Sequence, residues 1–107
     1  MLRRLWYLPE PIEPVRVHGT GAPLGTEPFT VLSWNIQFGA GRNRCFFYDG
    51  GPDARATPAE VHQALAGIGD LIAREKPDLV LLQEVDRRSA RTGRVDQIQT
   101  LRQRVGL

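Results

Sequence analysis

The residues of this sequence best suited to chemistry are a carboxylate and an amide, each at the end of an apolar segment. Glu84 follows the apolar run 79–82, which has the length and composition of a strand buried on both faces. Asn35 lies near the end of segment 29–36, whose β-branched and aromatic residues predict another interior strand. A carboxylate at the edge of an apolar core is costly unless something pairs with it. Glu84 is therefore interpreted either as a metal ligand or as a group satisfied by solvent or by the arginine pair just downstream.

A helix is predicted between these two strands. Thr57 and Glu60 have the spacing of a capping box, and Pro58 fits the first helical position because it needs no backbone partner there. Apolar residues then recur at helical spacing, so this helix should lie on a sheet. Gly67 and Gly69 each cost about 1 kcal/mol relative to alanine, and we interpret them as points where helix and strand approach closely.

Strand, helix and strand within this length predict a βαβ unit with parallel strands. The carboxyl ends of parallel strands lie on the same edge of a sheet. Asn35 and Glu84 should then face each other across neighbouring strands about 4.8 Å apart. Ligands of α/β sheets bind outside those carboxyl ends, so the sequence predicts a site at this edge.

Two polar segments flank the predicted site. Residues 37–56 lack helical or strand periodicity, and structureless loops of this length are usually functional or disordered. Their aromatic triplet folds either over a substrate or, as we favour, onto its own domain. Arg42 and Tyr48 are candidates for substrate contact. The arginine-rich loop that follows residue 86 includes Arg91, and it either holds phosphate through arginine forks or, as composition favours, is a solvated turn.

The length and composition of the chain predict one small domain. The chain has 107 residues, a net charge of +2 and one cysteine, so it forms no internal disulfide. Mild basicity does not by itself imply nucleic acid. Residues 1–28 are a lead-in rich in proline and glycine, and residues 29–107 are the structured portion. No apolar run approaches the roughly 18 residues that a membrane span needs. The apolar stretch among the first residues is also shorter than the apolar region of a signal peptide. We expect a cytoplasmic protein.

Several motifs together resemble one known family. They are S-W-N-I at 33–36, the capped helix, K-P-D-L-V-L-L-Q-E-V-D at 76–86, R-T-G at 91–93 and D-Q at 96–97. This set resembles the amino-terminal part of the endonuclease/exonuclease/phosphatase superfamily, the DNase-I-like group that includes apurinic endonucleases, inositol-polyphosphate phosphatases and sphingomyelinases. The resemblance covers about residues 29–107.

The resemblance implies an α/β (α+β) four-layer sandwich, with two sheets face to face and helices outside. It also implies a divalent-metal-dependent phosphoesterase that hydrolyses phosphodiester or phosphomonoester bonds, with nucleic acid as one candidate substrate. On this basis Glu84 is the ligand of Mg²⁺, with Mn²⁺ as an alternative. Asn35 is the catalytic residue that helps order the metal-bound water or nucleophile, and Gln83 orients Glu84.

The chain departs from the family pattern in two ways. Gln37 stands where nuclease members often carry an acidic residue. The D-x-N and S-D-H motifs of the family's second half are absent, so we expect these 107 residues alone to be inactive. The alternative function is that of a small non-catalytic basic module, which binds nucleic acid or phosphorylated partners through its arginines. The oligomeric state and the specific substrate are left open.

Overall fold

The computed structural model describes residues 17, 21–23, 25–47 and 50–107. Its regular elements, in chain order, are strand β1 (Val31–Asn35), helix α1 (Pro58–Glu75), strand β2 (Leu79–Gln83) and helix α2 (Gln97–Val105). Short 3₁₀ turns occupy Gln37–Gly39 and Ala90–Thr92. Tyr48 and most of the lead-in 1–28 lie outside the described residues.

The two strands pair in parallel, which confirms the predicted βαβ unit. Their register is fixed at the amino end by Asp78. Its Oδ2 accepts from the Thr30 backbone N–H at 2.8 Å and from the Thr30 hydroxyl at 2.9 Å. The backbone N–H of Thr30 and then its hydroxyl hold the pKa of the Asp78 carboxyl below its usual range. Val31 is thereby aligned with Leu79 and Asn35 with Gln83.

One face of this sheet packs on the helices and the other is open. The inward residues Leu32, Trp34, Val80 and Leu82 contact a core to which α1, α2 and the loops contribute. The opposite face carries apolar side chains that are substantially exposed, Val31 at 48% and Leu81 at 46%. The prediction that both strands are buried on both faces is therefore wrong for the described residues, because these residues form a two-stranded sheet with helices on one side only. The four-layer arrangement stays an expectation.

Helix α1 begins with the predicted capping box. The Glu60 N–H donates to Thr57 Oγ1, and the Thr57 N–H donates to Glu60 Oε2 at 2.8 Å. The Arg44 guanidinium forks onto both Glu60 oxygens at 2.7 and 2.8 Å and also reaches Asp53 at 3.0 Å. The Thr57 backbone N–H, followed by Arg44, lowers the pKa of Glu60 to about 2. The long loop is thus fastened to the start of α1.

Helix α2 packs on α1 through the second of the two glycines. A Cβ at Gly69 would collide with the Arg104 side chain, whereas a Cβ at Gly67 would meet no atom within 4 Å. The close approach is therefore between two helices and involves Gly69 alone, which corrects the interpretation of helix against strand. Arg104 also pairs with Asp70 on α1 at 2.6 Å. Within the described part of the chain, neither helix combines the length and apolar character needed to cross a lipid bilayer.

Candidate active site at the strand carboxyl ends

The carboxyl ends of β1 and β2 stay bonded to each other beyond the strands themselves. The Ile36 N–H donates to the Gln83 carbonyl at 3.1 Å, and the Phe38 N–H donates to the Glu84 carbonyl at 2.7 Å. Asn35 lies directly opposite Gln83, the residue before Glu84. The structure thus brings Asn35 and Glu84 to one edge of the sheet.

The backbone at this edge adopts uncommon conformations. Gln37, Phe38 and Glu84 are left-handed, with φ values of 47°, 41° and 54°. Such conformations cost about 1–3 kcal/mol each in residues other than glycine, and they persist where the surroundings impose them, most often at functional sites. The Asn35 Oδ1 accepts from the Gln37 N–H at 2.9 Å and so holds the first of these turns.

The Glu84 side chain is exposed, and among the described residues it has no hydrogen-bond or ion-pair partner. The two arginines just downstream of Glu84 form ion pairs with Asp96 instead. Arg87 Nε and Arg88 Nε each lie 3.8 Å from Asp96 Oδ2. The arginine alternative for Glu84 is therefore wrong for the described chain. Solvent or a metal ion remains as its partner.

The Gln97 side chain links the segments that follow the two strands. This residue is fully buried, at 0% exposure. Its Nε2 donates to the Phe38 carbonyl, and its Oε1 accepts from the Asp86 N–H at 3.0 Å. Phe38 is bonded to Glu84 and Asp86 lies two residues beyond it, so one amide side chain fixes the backbone on both sides of the candidate ligand.

A second set of contacts braces the same corner. Arg91 forks onto Asp86 at 2.7 and 2.8 Å, and the Thr92 hydroxyl donates to Asp86 at 2.9 Å. Burial raises the pKa of the Asp86 carboxyl, but the bonds from Arg91 and Thr92 outweigh it and hold that pKa below its usual range. The Arg91 guanidinium carbon also lies 3.8 Å from the centre of the Phe38 ring, in cation–π geometry. We call Phe38, Asp86, Arg91, Thr92 and Gln97 the strand-end network.

The other predicted site residues are placed as follows. The Gln83 amide donates to Ser33 Oγ and to the Leu81 carbonyl, both at 3.3 Å, so it links the two strands. Its role in orienting Glu84 stays a prediction. Arg42 lines a cleft of about 350 Å³ together with Asn35 and belongs to the β1 side of the edge. Its contact with substrate also stays a prediction.

Two further substrate candidates came from the flanking segments. The ion pair with Asp86 and the stacking on Phe38 engage Arg91 within the fold, and its substrate contact is a prediction that these contacts do not test. Tyr48 falls outside the described residues. Its neighbour Phe46 is completely buried and packs edge-on against Phe38, with ring centres 4.9 Å apart. For Phe46, the interpretation that the aromatics pack on their own domain is confirmed.

Sequence reasoning missed Asp86 and Gln97 as structural determinants of the site. One signal was present for Gln97, because it lies four residues before Leu101 and therefore on the buried stripe of α2. An amide at a core-facing position of a helix indicates a buried hydrogen-bond partner. No comparable signal identified Asp86, whose burial depends on the loop that folds over it.

The donor chemistry of this edge fits a hard cation. The described residues contain no group of three or more His, Cys, Asp or Glu side chains that could enclose a metal ion. Glu84 offers carboxylate oxygens, and Mg²⁺ prefers oxygen ligands, retains several waters and uses only one or two carboxylates. The residues present therefore suit a sparse Mg²⁺ or Mn²⁺ site and not a closed zinc site.

Comparison with protein families gives one match. Residues 32–102 match the model of the Endonuclease/Exonuclease/phosphatase family, whose members are in general metal-dependent phosphoesterases and nucleases. No curated protein and no solved structure matches the chain. The matched segment spans more than half of the chain and contains Asn35, Glu84 and the strand-end network. The chain therefore belongs to the endonuclease/exonuclease/phosphatase family.

Proposed function

We propose that this chain provides the Mg²⁺-binding edge of a phosphoesterase that hydrolyses phosphodiester or phosphomonoester bonds. The observation that carries the proposal is the Glu84 carboxylate, which lacks a partner among the described residues and sits on a left-handed backbone beside Asn35. A fold that fixes the Glu84 backbone, yet leaves the carboxylate oxygens free, is suited to an external cation.

Each residue has a definite part in this proposal. Glu84 holds the cation, which when bound neutralises charge that develops on phosphate oxygens. The Asn35 Oδ1 is engaged by the Gln37 N–H, so its Nδ2 amino group is left to donate to a phosphate oxygen or to the attacking water. Arg42, in the cleft that it shares with Asn35, supplies positive charge for the anionic substrate.

We further propose that these residues alone do not complete the reaction. Hydrolysis needs a group that takes a proton from the attacking water. His62, the histidine within the described residues, is exposed on the first turns of α1, and Asp86 is committed to Arg91. We therefore expect the 107-residue chain to bind the cation without measurable turnover.

Metal binding tests the proposal without requiring activity. Paramagnetic Mn²⁺ is titrated into the ¹⁵N-labelled chain, and line broadening is recorded for each amide. We expect broadening to be strongest at Asn35, Gln37 and Glu84 and to be lost in Glu84→Gln. It should persist in the control variant Glu75→Gln, which removes an exposed carboxylate at the far end of α1. Equal broadening in the wild type and Glu84→Gln would refute the assignment.

A further inference from the structure

A basic cleft lies at the same edge of the molecule, on the β2 side. It has a volume of about 380 Å³ and lies between the loop after β2 and helix α2. Its polar lining is Arg87, Arg88, Asp96, Gln99, Arg102 and Gln103. The first residue of the loop that lines the cleft, Arg87, lies three positions after Glu84 in the sequence.

The arginines of this cleft are weakly neutralised. Arg87 and Arg88 share a single carboxylate oxygen of Asp96 at 3.8 Å, which is too long for a hydrogen bond. Three guanidinium groups thus face one carboxylate. By contrast, Arg91 and Arg104 bind their own carboxylates at 2.7 and 2.6 Å. The fold therefore separates arginines used internally from arginines left available to an anion.

The available donors are arranged in a row. Gln99, Arg102 and Gln103 lie three and four residues apart on α2, so their side chains share one stripe of the helix surface, about 5–6 Å between neighbours. Arg87 and Arg88 lie at the end of this stripe nearest the strand carboxyl ends, beside the residue that caps α2. The arginine guanidinium groups and glutamine side-chain amides are therefore spread along a line. Such a line matches the successive phosphates of a linear chain better than it matches one compact headgroup.

We propose that the basic cleft binds the phosphate backbone of a single-stranded nucleic acid on one side of the bond to be cleaved. This inference rests on the proposed function, because it makes nucleic acid the substrate that reaches Glu84. Arg42 lies in the separate cleft on the β1 side, so each of the two clefts contains positive charge.

Binding of a fluorescein-labelled 12-mer of oligothymidylate, measured by anisotropy in EDTA over a range of salt concentrations, tests this proposal. The test variant is Arg87→Gln with Arg102→Gln. The control is Arg74→Gln with Lys76→Gln, which removes the same charge at the far end of α1. We expect the test variant to weaken binding on the order of tenfold and to reduce the salt slope by about 1.4, roughly 0.7 for each lost phosphate contact. The control should change neither quantity substantially.

Two outcomes would overturn the proposal. Equal weakening by the test and control variants would show that only net charge attracts the oligonucleotide. Cleft-dependent binding to phosphoinositide vesicles, without oligonucleotide binding, would assign the cleft to a lipid headgroup. The Mn²⁺ titration keeps the two proposals distinguishable: broadening at Glu84 with an unaltered oligonucleotide affinity in the test variant rejects the cleft alone. Absence of Mn²⁺ broadening near Glu84, together with an oligonucleotide affinity that falls in the test variant, rejects the metal site alone.

Discussion

Gln97 offers the sharpest test of how the fold holds the candidate site. Replacing it with leucine roughly keeps the side-chain volume but removes both of its hydrogen bonds. The Phe38 carbonyl and the Asp86 N–H, which are partnered by Gln97 in buried positions, would each lose that partner. The perturbation therefore acts on the backbone on both sides of Glu84 without touching Glu84 itself.

The expected loss of stability follows from the buried Asp86 N–H, which bonds to Gln97 Oε1. A buried polar group left without a hydrogen bond costs about 1–3 kcal/mol. For a domain of this size each 1 kcal/mol lowers Tm by roughly 4–8 °C. Gln97→Leu should therefore lower Tm by at least about 4 °C.

Thermal and urea unfolding followed by far-UV circular dichroism measure this effect. The matched control is Gln63→Leu, which replaces an exposed glutamine on α1 and should stay within about 0.5 kcal/mol of the wild type. Amide exchange at Asp86 should also accelerate in Gln97→Leu. If Gln97→Leu and Gln63→Leu unfold at the same temperature, Gln97 does not brace the strand ends.

Two more predictions concern the helices. The pKa of Glu60 is lowered from 4.5 to about 2 in the folded chain, so its contribution to stability is present above pH 4.5 and is lost as pH falls towards 2. The difference in unfolding free energy between the wild type and Glu60→Gln should shrink over that range, and a difference independent of pH would contradict the Arg44–Glu60 account. Gly67→Ala should stabilise the chain by up to about 1 kcal/mol, because it improves helix propensity in open space. Gly69→Ala should stabilise the chain less than Gly67→Ala, or destabilise it, because the added Cβ displaces the Arg104 side chain. Chemical denaturation measures the unfolding free energy of both variants. Equal effects would show that close helix–helix contact at Gly69 does not matter for stability.

The placement of Asn35 and Glu84 at one edge of the sheet could be predicted from sequence because it depends on local signals and topology. The Thr57–Glu60 capping box and the apolar periodicity of α1 define a helix between two strands. Parallel pairing then places Asn35 and Glu84 at one edge regardless of which side chains fill the core. The register follows from contacts of Asp78 that the apolar run alone does not reveal.

The partners of the arginines could not be predicted in the same way. Composition shows a basic loop, but it does not distinguish Arg91, bound to Asp86, from Arg87, which is left facing a cleft. That distinction depends on which carboxylates the tertiary fold buries nearby. The apolar run of β2 likewise indicates a preference for burial without specifying what covers each face. Leu81 is exposed for this reason despite its apolar surroundings in sequence.

We propose that Glu84 is a ligand of a divalent cation at the carboxyl ends of the two strands. Crystals of the protein grown with Mn²⁺ and measured at an anomalous wavelength test it most directly. If Glu84 binds the cation, an anomalous peak should lie within bonding distance of its carboxylate, roughly 2.0–2.2 Å as for hard cations of this size, with Asn35 adjacent. The same peak should be absent in Glu84→Gln. Mn²⁺ bound at other carboxylates, with none at Glu84, would show that Glu84 is not the ligand.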